Sequence, residues 1–202
     1  MSTMAHRIMK RVRGKGRGWV FTPKHFIDFG TRGAVDVALS RLAHAGDIRR
    51  IGRGLYDYPR QHAKLGALSP DAAILADAVS AQTGDRVALS GATAVNSFGL
   101  STQVPVRASF ATSGPTRIKK VGGRSLTLRH SRVPVLSKAS DTANSVLQGL
   151  AHLGKGRIDD DVIARLANRI DDRDMKTLLN ARAQMPGWLS DVMLKISAAH
   201  HG

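Results

Sequence analysis

Residues 18–59, GWVFTPKHFIDFGTRGAVDVALSRLAHAGDIRRIGRGLYDYP, decide the fold of the front of this chain. The apolar run Trp19-Val20-Phe21 predicts a short strand. Thr22-Pro23 predicts a helix start, because the threonine hydroxyl can cap free N–H groups and proline fits the first helical turn. We expect that helix to end at Gly30.

The following segment predicts a second helix over about 32–45. Its apolar residues recur at helical spacing and define one buried face: Val35, Ala38, Leu39, Leu42 and Ala45. Residues 48–51 and 55–58, joined by Gly52-Arg53-Gly54, predict two strands with a tight turn between them. An amphipathic helix over 3–13 precedes the whole stretch.

The predicted order is helix, strand, helix, helix, strand, strand within sixty residues. This order is typical of a winged helix-turn-helix, whose third helix enters the DNA major groove while a hairpin wing follows the adjacent backbone. We therefore predict a winged helix-turn-helix domain over residues 1–60.

Residues 61–69 are polar and contain glycine, which favours a linker before a second domain over 70–202. In that domain we predict a helix over 70–83, strands over 86–89 and 104–111, and a helix over 91–98. Gly122-Gly123 predicts a hairpin between strands 116–121 and 124–130. From about 140 the pattern is helical, over 141–153, 159–169, 172–184 and 188–198. The predicted fold class is α+β.

The charge of the chain is strongly positive and unevenly distributed. Thirty-one Lys and Arg oppose fifteen acidic residues, all of them Asp, for a net charge of +16. Residues 1–64 carry +10, residues 65–138 carry +6, and residues 139–202 are neutral. Such a balance predicts attraction to DNA, RNA or an anionic membrane surface.

Several classes of protein are excluded by composition. The chain has no cysteine, so disulfides, thiolate zinc sites and cysteine nucleophiles are ruled out. No apolar run approaches the roughly 18 residues needed to span a bilayer. The N-terminus lacks the apolar stretch of a secretory signal. We expect a cytoplasmic protein without a membrane partner.

The predicted DNA-binding residues lie in the front domain. We expect four to face the groove and three to contact phosphates: Lys24, Arg32, Ser40 and Arg41, then Arg49, Arg50 and Arg53. Asp36 could accept from a cytosine amino group or pair with Arg32 four residues earlier. The wing arginines could instead protect a sheet edge. The N-terminal basic residues either extend the DNA contact or form a disordered arm: Lys10, Arg11, Arg13, Lys15 and Arg17.

A second basic surface is predicted on the strands of the second domain. Its residues are Arg107, Arg117, Lys119, Lys120, Arg124 and Arg129, with Arg132 just beyond. This surface could continue the DNA contact, bind RNA or bind an acidic protein. The segment 107–132 holds a single aromatic residue, Phe110, which disfavours base stacking of the usual RNA-binding kind.

Signals for catalysis are weak. No HExxH spacing occurs among the eight histidines, Gly14-Lys15-Gly16-Arg17-Gly18 lacks the ending of a phosphate loop, and 89–95, LSGATAV, has no GxSxG elbow. Asp159-Asp160-Asp161 resembles a metal cluster but is better interpreted as the start of a helix. His200-His201 suggests a frayed terminus. We expect no enzyme activity, no metal and no cofactor.

Four blocks of sequence together resemble the AbiEi-type antitoxins of type IV toxin–antitoxin (abortive infection) modules. They are 16–59, GRGWVFTPKHFIDFGTRGAVDVALSRLAHAGDIRRIGRGLYDYP; 89–105, LSGATAVNSFGLSTQVP; 111–123, ATSGPTRIKKVGG; and 126–131, LTLRHS. The resemblance covers roughly residues 5–135 in the same order. It implies an N-terminal winged helix-turn-helix that represses its own operon by binding inverted repeats in its promoter.

The same resemblance implies a C-terminal antitoxin domain and a nucleotidyltransferase-like toxin as functional partner, without a stable complex between them. The expected function is thus a DNA-binding autorepressor and antitoxin. The alternative is a basic protein- or RNA-binding module without sequence-specific DNA recognition. For the small core of the front domain we expect eight apolar residues: Val20, Ile27, Val35, Leu39, Leu42, Ile48, Ile51 and Leu55.

Overall fold

A computed structural model of the protein describes residues 3–102 and 109–201. The fold is α+β with small sheets. The helices are α1 (Met4–Lys15), α2 (Arg32–His44), α3 (Ala72–Thr83), α4 (Gly91–Ser97), α5 (Asp141–Leu153), α6 (Asp160–Ala167), α7 (Asp172–Asn180) and α8 (Gly187–His201). Three 3-10 helices cover Pro23–Phe29, Lys155–Arg157 and Arg182–Gln184.

The strands form three sheets. They are β1 (Val20–Phe21), β2 (Arg49–Gly52), β3 (Leu55–Asp57), β4 (Gln61–His62), β5 (Gly66–Ala67), β6 (Val87–Leu89), β7 (Ser109–Thr112), β8 (Arg117–Val121) and β9 (Arg124–His130). The sheet orders are β1-β3-β2, β4-β5 and β6-β7-β9-β8. The first two sheets are antiparallel, whereas β7 and β9 run parallel.

The chain divides into two compact units that differ from the expected domains. One unit comprises Met1–Gly84 with Ile118–Leu126, and the other comprises Asp85–Arg117 with Thr127–Gly202. The first unit includes α3 as well as residues 118–126. The expected linker 61–69 contains the β4–β5 ribbon, which backbone pairing holds together and which the hydrophobic pattern does not reveal.

The core of the first unit is built from α1, α2 and an aromatic cluster. Phe21 and Phe26 are fully buried, with ring centroids 5.5 Å apart in an edge-to-face arrangement. The expectation that Ile27 belongs to this core is wrong, since Ile27 is 59% exposed. A 3-10 helix has three residues per turn, so Pro23 and Phe26 lie on the same buried side and Ile27 faces away.

The core of the second unit is formed largely by α5 to α8. Leu147, Leu150, Leu178 and Ile196 are fully buried within it. The expectation that Asp159 begins a helix is confirmed, because its side chain accepts a hydrogen bond from the Val162 N–H at 2.9 Å.

Helix α8 is held at its C-terminal end by His200, which corrects the expected frayed terminus. Its Nδ1 lies 2.9 Å from the Ala167 carbonyl oxygen, and its Nε2 lies 2.8 Å from an Asp172 carboxylate oxygen. Both oxygens act as acceptors, so these two contacts favour the charged imidazole, which can donate from both ring nitrogens. The Ala167 hydrogen bond and then the Asp172 contact accordingly raise the pKa of His200 above its ordinary value of 6.5.

We predict that His200 makes the second unit more stable at mildly acidic pH than at alkaline pH. A pKa raised by folding gives stability that is fully present below pH 6.5 and lost as the pH rises through the folded-state pKa. Melting temperatures of the wild type and of His200→Gln should therefore differ more at pH 5.5 than at pH 9. A difference that stays constant, or grows, between those pH values would contradict the charged hydrogen bonds.

Candidate nucleic-acid interface

Helix α2 presents one face to the core and leaves the other open. Thr31 caps it by accepting from the Ala34 N–H at 3.3 Å. Val35 and Leu39 are fully buried against the aromatic core. The opposite face, exposed to solvent, carries Arg32, Asp36, Val37, Ser40, Arg41 and His44. The apolar spacing thus fixes which polar side chains of α2 a ligand can contact.

Two of those side chains pair with each other. Nε of Arg32 donates to both carboxylate oxygens of Asp36, at 3.1 and 3.0 Å, and both side chains are about half exposed. The structure therefore contains the i,i+4 ion pair that the spacing left open, and Asp36 orients Arg32. Arg41 is exposed on the same helix and makes no side-chain hydrogen bond or ion pair with other residues that the structure describes.

An open depression of about 540 Å³ lies between the end of α2, strand β2 and the β4–β5 ribbon. Ser40 and His44 line it from α2, Arg50 from β2, and Gln61 from the ribbon. The structure thus brings together three of the predicted DNA-binding residues, Ser40 from α2 with Arg49 and Arg50 from β2. A hydroxyl, an exposed guanidinium and an imidazole around one depression form a surface that suits a phosphate-bearing ligand.

Arg49 has a different environment from Arg50. Its Nε and one terminal nitrogen donate to the two carboxylate oxygens of Asp57 at 3.0 and 2.7 Å, and the Asp57 side chain is only 1% exposed. The Asp57 hydrogen bonds raise the pKa of Arg49 above its ordinary value. The guanidinium also donates to the carbonyls of Ala67 and Leu68, at 3.4 and 2.8 Å. Arg49 is therefore engaged within the first unit.

Lys24 and Arg53 both lie near the C-terminal end of α3. Nζ of Lys24 donates to the carbonyls of Ala81 and Gln82, each at 3.1 Å, where a cation favourably meets the negative end of the helix dipole. The exposed Arg53 stands at the β2–β3 turn, and its backbone carbonyl accepts from Nε2 of Gln82 at 2.6 Å. Lys24 is thus used inside the fold, whereas the Arg53 side chain faces solvent.

Most of the N-terminal basic residues lie in helix α1 and so do not form a disordered arm. Arg11 donates to both oxygens of Asp28, at 2.8 and 2.7 Å, and lies over the Phe29 ring at 4.0 Å. Hydrogen bonds from Arg11 lower the pKa of Asp28. Arg17 donates to the Pro59 carbonyl at 2.9 Å. Lys10, Arg13 and Lys15 remain exposed on α1 and its end.

The predicted second basic surface is divided by the two compact units. Lys119, Lys120 and Arg124 belong to the first unit, and Arg117 and Arg129 to the second. Arg117 forms an ion pair with Asp85, and Lys119 donates to Oε1 of Gln82 at 3.1 Å. Lys120, Arg124 and Arg129 are exposed. Arg107 lies outside the described residues.

Sequence reasoning missed two features beside this interface. Val37 is 52% exposed on the open face of α2, although its residue type suggested burial. Leu65, 73% exposed, stands in the β4–β5 turn next to Lys64. His62 shapes this turn, because its Nδ1 accepts from the backbone N–H groups of Lys64 and Leu65, both at 3.2 Å. The pair Lys64-Leu65 is too short to show a hydrophobic period, so the sequence did not predict an exposed apolar residue in this turn.

The described part of the chain holds neither a metal-binding cluster nor a membrane-spanning helix. Within residues 3–102 and 109–201 there is no group of three or more His, Cys, Asp or Glu side chains placed to hold a metal ion. No helix in that described part combines the length and apolar character required to cross a bilayer.

Residues 7–178 match DUF6088, described as a family of unknown function. The chain belongs to the DUF6088 family. The DUF6088 match runs from α1 into α7 and so includes α2, the β4–β5 ribbon and residues of both compact units. A search of curated proteins found no match to the chain.

We predict that Arg49→Ala destabilises the first unit while Arg50→Ala does not. Removing Arg49 leaves the buried Asp57 carboxylate without its partner, and because Arg49 keeps a third of its side chain exposed we expect a loss of about 2–3 kcal/mol, below the usual range for a fully buried pair. Arg50 is the adjacent arginine on the same strand but is exposed, so its removal should change stability by less than about 0.5 kcal/mol. Urea unfolding of both variants measures this; equal losses would contradict the assigned role of Arg49.

Proposed function

We propose that residues 3–60 form a winged helix-turn-helix that binds duplex DNA, and that the protein is an autorepressor and antitoxin. In this proposal α2 is the recognition helix and β2–β3 is the wing. The observation that carries the proposal is the open face of α2, where Arg41 is exposed and Ser40 shares a depression with Arg50 of the adjacent strand. A DNA-binding helix needs such a face, with base-contacting and phosphate-contacting groups side by side.

The side chains on α2 match the chemistry of a major groove. Arg41 can donate two parallel hydrogen bonds to guanine, and Ser40 can bond a base edge or a phosphate. Val37 supplies an exposed apolar group, which suits contact with a thymine methyl. Arg32 is held by Asp36, so it reaches a base only if that exposed and weak ion pair opens.

The phosphate contacts are proposed for Arg50 and Arg53, whose side chains have no hydrogen-bond or ion-pair partner among the described residues. Arg50 and Arg53 on the wing are exposed, whereas Arg49 and Lys24 have partners within the first unit. The net charge of +10 over residues 1–64 supports an electrostatic contribution to affinity from any polyanion. Specificity must then come from α2.

The antitoxin part of the proposal depends on the resemblance to AbiEi-type antitoxins. The resemblance implies an operator of inverted repeats in the protein's own promoter and a nucleotidyltransferase-like toxin as functional partner. The four resembling blocks lie mostly within the described residues and include α2, the wing and the β8–β9 turn at Gly122-Gly123.

We predict that Arg41→Ala weakens binding to the operator by about 1–3 kcal/mol and relaxes sequence preference, because a bidentate base contact is lost. Electrophoretic mobility shifts on the upstream DNA and on a scrambled duplex, with RNA as competitor, measure both effects. Arg50→Ala is the comparison on the wing: it should weaken both duplexes alike and reduce the slope of log affinity against log salt by roughly 0.9.

Equal losses for Arg41→Ala on the two duplexes would remove Arg41 from base recognition. Displacement of the operator by RNA at matched phosphate concentration would favour the alternative, a basic RNA-binding module. Lys176→Ala, an exposed cation on α7 of the second unit, is the charge-matched control and should leave the operator affinity unchanged within about twofold.

We also predict that co-expression of the protein relieves growth arrest caused by a nucleotidyltransferase encoded beside it. Because the resemblance places antitoxin activity in the C-terminal domain, Arg41→Ala should weaken repression while rescue of growth persists when expression is driven from an unrelated promoter. Growth curves with inducible toxin and antitoxin measure this. Failure of the wild type to restore growth would contradict the antitoxin role while leaving DNA binding standing.

A further inference from the structure

The second unit contains its own basic depression, separate from α2. It has a volume of about 470 Å³ and is formed by residues before and within α4, the strands β7 and β9, the segment just after β9, and α5. Its polar lining includes Arg129, His130, Arg132, His152, Ser90 and Ser109. The depression is within the usual size range of small-molecule sites, about 300–1,000 Å³.

Among the described residues that line this depression, the charged side chains are the guanidinium groups of Arg129 and Arg132. Arg129 and Arg132 are exposed, and neither takes part in an ion pair with another residue that the structure describes. Other arginines of the same unit are neutralised: Arg117 by Asp85, and Arg165 by Asp161 at 2.8 Å. Two guanidinium groups around one concave surface, with no carboxylate among the described lining residues, favour the binding of an anion.

The walls of the depression are fixed by close contacts. A side chain at Gly91 would bring its Cβ within 2.4 Å of the His152 Cβ and 2.5 Å of the Gln148 carbonyl oxygen, so only glycine allows α4 to begin so near α5. Nδ1 of His130 donates to the Gly114 carbonyl at 3.0 Å, which leaves Nε2 as the ring nitrogen available to a ligand. Ser131 donates to Oε1 of the buried Gln148 at 2.9 Å. These contacts fix the start of α4, the His130 ring and the Ser131 side chain around the depression, while the Arg129 and Arg132 side chains are exposed.

We propose that this depression binds the terminal phosphate groups of a nucleotide-sized ligand. Guanidinium groups match phosphate oxygens with paired N–H donors, and the Ser90 and Ser109 side chains add hydroxyl donors. No Phe, Tyr or Trp occurs among the described residues that line it, so the base has no ring to stack on. The site therefore recognises phosphate and discriminates little between bases.

This inference goes beyond the proposed DNA binding and does not depend on it, because every residue it uses belongs to the second unit. The free nucleotide and the 5′-phosphorylated end of an RNA share the same terminal phosphate chemistry. The experiment below separates these two sources.

The test is calorimetric titration of the full chain at low ionic strength with ATP, GTP, adenosine and inorganic tripolyphosphate. We expect ATP and GTP to bind with dissociation constants within about threefold of each other, adenosine not to bind, and tripolyphosphate to displace ATP. Arg129→Gln and Arg132→Gln should each weaken ATP binding about tenfold, since each removes a charge-assisted pair. Sodium chloride at matched ionic strength should displace ATP less than tripolyphosphate does.

Two controls keep the proposal open to refutation. Arg169→Gln removes one exposed charge of the second unit outside the depression and should change ATP affinity less than twofold. Arg41→Ala should leave ATP affinity unchanged, which separates this site from the DNA interface. Three outcomes would each overturn the proposal: equal losses for Arg169→Gln and Arg129→Gln, binding of adenosine as tight as that of ATP, or no binding of any phosphate ligand, the 5′-phosphorylated oligoribonucleotide included.

The second arm uses a short oligoribonucleotide with either a 5′-phosphate or a 5′-hydroxyl. Binding that requires both the 5′-phosphate and Arg129, with no binding of free ATP, would support the phosphate site and identify its source as an RNA end. Equal binding of the two oligonucleotides, unaffected by Arg129→Gln and Arg132→Gln, would show a diffuse attraction to the backbone and overturn a built site.

Discussion

The geometry of the first unit depends on the ion pair between Arg49 and Asp57. Asp57 is buried at the end of β3, where an unpaired carboxylate would carry a large desolvation cost. Arg49 donates hydrogen bonds to both carboxylate oxygens and also to the carbonyls of Ala67 and Leu68. One guanidinium thus joins β2, β3 and the end of the β4–β5 ribbon, and thereby fixes two walls of the depression that Ser40 and Arg50 share.

That interaction also explains why the number of cations is a poor guide to the interface. The first unit uses Arg11, Lys24 and Arg49 to satisfy its own carboxylates and helix ends, while Arg41, Arg50 and Arg53 face solvent. Neighbouring arginines 49 and 50 have different roles because Arg49 pairs with the buried Asp57, whereas Arg50 is exposed. The net charge counts all of these cations equally. The affinity for an anionic ligand depends on the cations that have no partner among the described residues.

The elements with local signals were predictable from sequence. Thr22-Pro23, Asp159 and Gly122-Gly123 mark starts and turns through interactions within a few residues, and the structure places a helix, a helix and a hairpin turn there. Both glycines of that turn have positive φ, 58° and 77°, a conformation that L side chains rarely adopt.

The features that sequence reasoning did not predict depend either on partners distant in sequence or on the pitch of a helix. The β4–β5 ribbon lacks an apolar pattern, and the Lys24 contact joins residues separated by 57 and 58 positions. Ile27 was misplaced because a 3-10 helix rotates its side chains further per residue than an α-helix does. Of the candidate site, the sequence could therefore specify the face of α2 but could not tell Arg49 from Arg50.

The exposed apolar residues sharpen the interpretation of the first unit. Val37 lies one helical turn before Arg41 on α2, and Leu65 follows Lys64 on the ribbon, so each exposed apolar side chain has a cation close to it in sequence. A DNA groove offers both kinds of partner, since phosphates line its edges and thymine methyl groups lie on its floor. An acidic protein surface offers the charge but must add apolar contacts of matching shape. In the proposed complex, Arg41, which has no side-chain partner among the described residues, and the exposed Val37 on α2 therefore suit a groove better than a protein partner.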